Sequence, residues 1–142
     1  MIIKTQQLTD NQLTQVRDIW LAGNLSGHPF IDPAYWYAQV PAVEIAFRQA
    51  TFYLDQADGE IRGFLGMMQT QIAGLFIRTQ NQGQGIGTAL LNQAQHDNTT
   101  LTLEVYRENT RAAKLYQHLG FVITRTIDDG HAIAYEMMWQ EA

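Results

Sequence analysis

Residues 1–142 read as one α/β domain, a mixed and mostly antiparallel sheet of about six or seven strands flanked by about four helices. Three observations predict it. The chain is long enough for one ordinary core and too short for two comfortable domains. Strand-like and helix-like patterns alternate along its whole length, with no repeat, linker or low-complexity tract between them. Two Asp-Gly turns, at Asp58-Gly59 and Asp129-Gly130, each join consecutive strand patterns into a hairpin.

Taken in order, Ile2–Thr5 is a short strand. Thr9-Asp10 then supplies an N-cap for a helix with apolar positions at Leu13, Val16, Ile19 and Trp20, its end marked by Gly23. The loop SGHPFIDP follows, and a second helix starts near Pro33 and runs toward Arg48, with an interruption expected at Pro41. TFYLDQ (51–56), RGFLGMMQT (62–70) and QIAGLFI (71–77) are strands. A helix after the glycines carries Ile86, Leu90 and Leu91 on one side and ends by His96-Asp97-Asn98. LTLEVY (101–106) is a strand. Thr110–Leu119 is a helix stopped at Gly120, with Ala112, Leu115, Tyr116 and Leu119 at i, i+3, i+4 and i+7. FVITRTID and AIAYEMMW close the sheet.

Composition removes several functional classes. With no cysteine there is no disulfide scaffold, thiolate zinc site, iron–sulfur cluster or cysteine nucleophile, and a reducing compartment fits. The N-terminus lacks a signal-peptide core and no apolar run is long enough to span a bilayer, so a cytoplasmic protein without membrane association is expected. His96, His118 and His131 lack metal-ligand spacing, and no metal is expected. The net charge of −5 argues against coating nucleic acid, yet residues 72–120 carry four bases against three acids. That local excess suits an anionic ligand, and a solvated helix face explains it nearly as well.

The stretch NQGQGIGTALL places Gly83, Gly85 and Gly87 just before a helix, although each glycine costs about 0.5–1 kcal/mol of backbone entropy relative to alanine. Strand, glycine loop and helix N-terminus together bring free N–H groups and the positive dipole end to one spot, which favours a phosphate. No Lys-Ser/Thr follows, so a Walker loop is excluded. Glu104 lies where the ribose-binding acid of a dinucleotide fingerprint would fall, but the third glycine comes one position early and successive βαβ units are missing. A tight turn without ligand is the remaining reading; three alternating glycines favour a ligand.

LFIRTQNQGQGIGTALL resembles motif A of the GNAT N-acetyltransferases, with Gln82, Gly85 and Gly87 filling its Gln/Arg-x-x-Gly-x-Gly/Ala pattern. NTRAAKLYQHLGF, residues 109–121, is similar to motif B of that superfamily at its proper downstream distance. Thr79 stands where many relatives have proline, and Gln82 where many have arginine. The resemblance implies acetyl-CoA as co-substrate. It implies a pyrophosphate cradle from Ile77 and from Gln82, Gly83, Gln84, Gly85, Ile86 and Gly87, cofactor contact at Thr88, pantetheine pairing along Leu75, Phe76 and Ile77, and a hydrogen bond from Asn109. It also makes Tyr116 the residue facing the departing thiolate and the Ile77 N–H, near a strand bulge, the oxyanion donor. A lysine amine of pKa about 10.4 needs a base near neutral pH. Glu104 is the candidate, acting through a water; its alternative is a surface carboxylate or a partner for Arg107.

WLAGNLSGHPFIDPAYW, residues 20–36, resembles the matching segment of small bacterial YiaC-like acetyltransferases, which act on protein lysines. Trp20, His28 and Phe30 are therefore candidates for acceptor contact, with His28 either assisting proton removal or ordering its loop. The expected acceptor is a primary amine, a protein lysine or a small molecule, taken by a monomer or homodimer. A rival reading is a coenzyme A-binding sensor without turnover; an acetyltransferase acting on aminoacyl-tRNA would call for a pronounced basic face, and the sequence shows none, so no nucleic acid is expected as a partner.

Overall fold

In the computed structural model, which describes residues 1–142, the strand patterns assemble into one seven-stranded sheet. β1 (Ile2–Thr5), β2 (Thr51–Ala57), β3 (Glu60–Met68), β4 (Gln71–Ile77), β5 (Thr100–Tyr106), β6 (Val122–Asp128) and β7 (Ile133–Gln140) lie in the order β1-β2-β3-β4-β5-β7-β6. Every neighbouring pair is antiparallel except β4 and β5, which run parallel. Four helices flank the sheet: α1 (Asp10–Gly27), α2 (Pro33–Phe47), α3 (Ile86–Asp97) and α4 (Thr110–His118). No helix is long and apolar enough to cross a membrane.

Local chemistry sets the helix starts. Thr9 and Gln12 form a capping box at α1, the Asp32 side chain accepts from the Ala34 N–H with Pro33 in the first turn of α2, and Asn109 caps α4. Two helix readings are corrected. α1 does not stop at Gly23 but runs four residues further, because that glycine serves close packing: a Cβ there would land on the Phe76 ring of β4. α2 is not interrupted at Pro41; the proline sits on an exposed turn inside the helix, where its missing N–H leaves a carbonyl that solvent can reach.

The core lies in two layers, one on each face of the sheet. α3 and α4 bury Leu90, Leu91, Ala94 and Tyr116 against Leu65, Leu101, Leu103 and Met137. α1 and α2 bury Val16, Ile19, Trp20 and Trp36 against Phe52, Leu54 and Phe64. Each such aliphatic or aromatic side chain is worth about 1.5–3 kcal/mol on removal from water, so the two layers together hold the sheet.

Between β4 and β5 the sheet comes apart. Only Gln71↔Thr102 and Ile72↔Leu103 pair across that seam, and the rest of β4 diverges. A bulge in β4 at Ala73, where the register jumps from Gly66↔Gly74 to Met67↔Ile72, marks the divergence. The bulge also resets the alternation, so Ile72, Leu75 and Ile77 all face the α3/α4 layer.

Candidate active site

The seam opens a cavity of about 650 Å³ whose walls are β4, the loop leading into α3, the face of α4 from Arg111 to Tyr116, and the C-terminal end of α1. Arg78 N–H donates to the Arg62 carbonyl at 2.8 Å, so Arg78 faces β3 with its hydrogen-bonding groups. Alternation then turns the N–H and C=O of Ile77 and Leu75 to the opposite edge, where no strand follows. That edge presents to the cavity backbone donors and acceptors that pair with no strand. The Gln82 side chain reaches the Ile77 carbonyl at 3.3 Å, and Arg111 of α4 in turn donates to Gln82 at 3.3 Å, so both walls meet across the opening.

At one end of the cavity Gly83 and Gly85 adopt left-handed backbone, φ 79° and 80°, and a Cβ at either would project into open space. Gly85 is the N-cap of α3 and offers no side chain to its first N–H groups. Those groups are left for a ligand, and the dipole end of a twelve-residue helix favours an anionic one.

At the other end stands Tyr116, buried on α4, its ring edge-on to Phe121 and its hydroxyl without a hydrogen-bond partner in the protein. Burial raises its pKa above that of an ordinary phenol, so the proton stays on through the whole neutral range.

Of the other residues singled out from the sequence, Leu75, Phe76, Ile77, Gln82, Ile86, Gly87, Thr88 and Asn109 line this same cavity, and His28 borders it from α1's end. Gln84 does not line it. The bulge sits at Ala73, four residues before the Ile77 N–H with which it was associated. Trp20 lies in the α1/α2 core, edge-on to Trp36, and Phe30 packs against His28 and Tyr106. Neither Trp20 nor Phe30 lines the cavity.

Glu104 occupies the opposite face. Leu103 and Val105 of β5 point into the layer that holds Tyr116, so Glu104 between them points the other way. There it lines a second cavity of about 280 Å³ with Gln71, Tyr106 and Asp129. Glu104 forms no ion pair with Arg107 or with any other residue. The Tyr106 hydroxyl donates to Asp129 at 2.6 Å. Burial works against the Asp129 carboxylate, and the hydrogen bonds from Tyr106 and from the Ala132 and His131 N–H groups outweigh it, leaving its pKa below the ordinary value. The His131 ring packs at a tilt against Tyr35 with centroids 4.2 Å apart, which joins the β6–β7 turn to α2.

Residues 48–123 match the family model described as the acetyltransferase (GNAT) domain. The chain belongs to the GNAT acetyltransferase family. As a GNAT protein it is an acyltransferase. It is 34% identical to the peptidyl-lysine N-acetyltransferase YiaC of Escherichia coli K12 over 115 residues, 80% of this chain and 79% of that one. Its fold is similar to YjaB of Escherichia coli, TM-score 0.75 at 20% identity, covering 100% of this chain and 99% of that chain. It is also similar to the PaiA N-acetyltransferase of Thermoplasma acidophilum in complex with coenzyme A, TM-score 0.72 at 17% identity, covering 99% of each.

Within this GNAT domain several cavity residues escape a sequence reading. Ser26 and Gly27 come from α1, far along the chain from the strand they face, and no local pattern marks them, while Gly23 reads only as a helix stop. Arg111 is legible only in retrospect, as a base placed two positions after the α4 cap and so directed at the loop opposite.

Proposed function

We propose that this acetyltransferase moves the acetyl group of acetyl-CoA onto a primary amine, and that the amine is a protein lysine. One observation carries the reading: a single cavity runs from the left-handed glycine turns, along the free edge of β4, to the Tyr116 hydroxyl. The groove suits an extended ligand with a phosphate at one end. The residues fit acetyl-CoA on the ground that side chains at 83 and 85 would fill the place where a phosphate meets the α3 N–H groups.

Acetyl-CoA supplies the activated acyl thioester. The loop Gln82–Thr88 would hold its pyrophosphate, the edge of Leu75–Ile77 its pantetheine amides in the manner of an added strand, and Asn109 a further hydrogen bond. The Ile77 N–H, free on that edge, orients and polarises the thioester carbonyl. Tyr116 carries its hydroxyl proton at neutral pH and would offer it to the leaving sulfur. Because burial makes the phenol a still weaker acid than a thiol of pKa about 8.5, it stabilises the thiolate by hydrogen bonding more than by complete proton transfer.

Glu104 takes the proton of the incoming ammonium through a water. Its support is its place: a carboxylate free of ion pairs, beyond the seam from Tyr116, beside Tyr106 and Asp129 in a cavity suited to a cation. The lysine assignment draws on the 34% identity to a peptidyl-lysine acetyltransferase. The test is to incubate the purified chain with acetyl-CoA and either lysine-containing peptides or small amines, following thiol release and product mass. Peptide acetylation at lysine supports the reading; turnover with small amines alone replaces the acceptor; failure to bind acetyl-CoA removes the cofactor as well.

A further inference from the structure

His28 lies where the end of α1 meets the cap of α4, and its surroundings settle which nitrogen carries the proton. The Asn24 Nδ2 donates to the Trp20 carbonyl at 3.0 Å, which turns Asn24 Oδ1 toward the imidazole. His28 Nδ1 lies 3.0 Å from that oxygen, and an oxygen can only accept, so Nδ1 bears the hydrogen. The Nε2 lone pair is then free to accept from Asn109 Nδ2 at 3.3 Å. Asn109 Oδ1 accepts from the Ala112 N–H at 3.4 Å, as the α4 cap. Donors and acceptors match head to tail, and flipping any one amide would set like groups against each other.

The chain of bonds is enclosed. Asn24 and His28 are buried, and the imidazole sits among Phe30, Tyr106 and Trp36 with centroid distances of 5.6, 5.0 and 5.4 Å. A second proton on Nε2 would point at the Asn109 N–H and would be desolvated, and burial accordingly lowers the His28 pKa. A group held neutral, with its one lone pair already engaged, is poorly placed to take a proton from an amine.

We infer that Asn24, His28 and Asn109 form a positioning strut, in which the acceptor-side segment fixes the Asn109 amide and, through it, the start of the helix that carries Tyr116. The strut rests on the acetyl-transfer reading for its purpose. Its bonds link residues 81 positions apart in sequence and tie the two walls of the seam at the end where the sheet pairing has already ceased. His28 thereby acts on the chemistry through Asn109 and not by touching the amine.

The experiment compares His28→Ala, His28→Gln, Asn109→Ala and the His28→Ala/Asn109→Ala double variant. In thermal unfolding the double variant is expected to lose little more than the larger single loss, since either change breaks the same bond; additive losses overturn the strut. In turnover, His28→Ala is expected to lower kcat about 10-fold or more while leaving the amine KM within about 3-fold, the mark of misplacement and not of lost acceptor binding. His28→Gln, which restores an acceptor to Asn109 without a titrating ring, is expected to recover most of kcat with an unshifted acid limb of the pH profile. If His28→Gln is as poor as His28→Ala and the acid limb disappears, His28 is a base and the inference fails. Should the wild-type chain acetylate no amine, the functional reading has failed, and the unfolding cycle still judges the strut.

Discussion

Tyr116 lines the cavity with a hydroxyl that has no protein partner, and in the proposed mechanism its value lies in the hydrogen it keeps. Tyr116→Phe is expected to reduce kcat by roughly 10²–10⁴-fold while acetyl-CoA affinity stays nearly unchanged, measured by steady-state kinetics beside calorimetry. Wild-type turnover in that variant removes the assignment. His28 makes a prediction of opposite sign in pH. Its folded-state pKa lies below the unfolded value of about 6.5, so its contribution to stability is full above that pH and is lost as pH falls toward the folded pKa. Melting temperature in His28→Gln is therefore expected to fall less steeply below pH 6.5 than in wild type; parallel curves would contradict it. The sequence made both residues visible by motif, but it left open whether His28 removes protons or orders a loop. Its partners, Asn24 and Asn109, lie on different elements, and a linear reading had no means of pairing them.

Glycine plays two different parts in the elements that frame the site. At Gly85 the backbone is left-handed at φ 80°, and a β-branched residue there would both strain the turn, at about 1–3 kcal/mol, and occupy the space above the α3 N–H groups. Gly85→Val is expected to weaken acetyl-CoA binding by about 100-fold or more in calorimetry, and retained affinity would place the cradle elsewhere. At Gly23 the backbone is helical and only proximity matters. Alanine would gain about 0.8–1 kcal/mol of helix propensity, yet its methyl would meet the Phe76 ring. Gly23→Ala is expected to lower the melting temperature despite that gain; a rise would show that the ring gives way freely. The first glycine was legible because turn, strand and helix lie side by side in the chain. The second read as a helix stop because the residue it accommodates is more than fifty positions away. Pro41 was misread for a related reason: on an exposed helical turn the lost hydrogen bond is borne by solvent, and the helix continues.

At the scale of the whole molecule the order of strands and helices was legible throughout, because turn residues separate the strands, side-chain caps open α1, α2 and α4, and a glycine run opens α3. What the order did not show was the bulge at Ala73 and the parting of β4 from β5, which arise from pairing between distant segments. The proposed site is that parting, with one cavity on each face, and a ligand seated in it would bridge halves that backbone pairing joins at only two positions. Acetyl-CoA at about 100 times its dissociation constant is expected to stabilise the fold by roughly 2.7 kcal/mol, raising the melting temperature by about 5–10 °C. An unchanged melting temperature at that concentration would deny binding to the folded state.

The free edge of β4 also bears on which substitutions the groove can absorb. Recognition through main-chain N–H and C=O groups is indifferent to the side chains that happen to project from the strand. A lineage that keeps the kink at Ala73 and the two left-handed turns can exchange most of its residues without redrawing the groove.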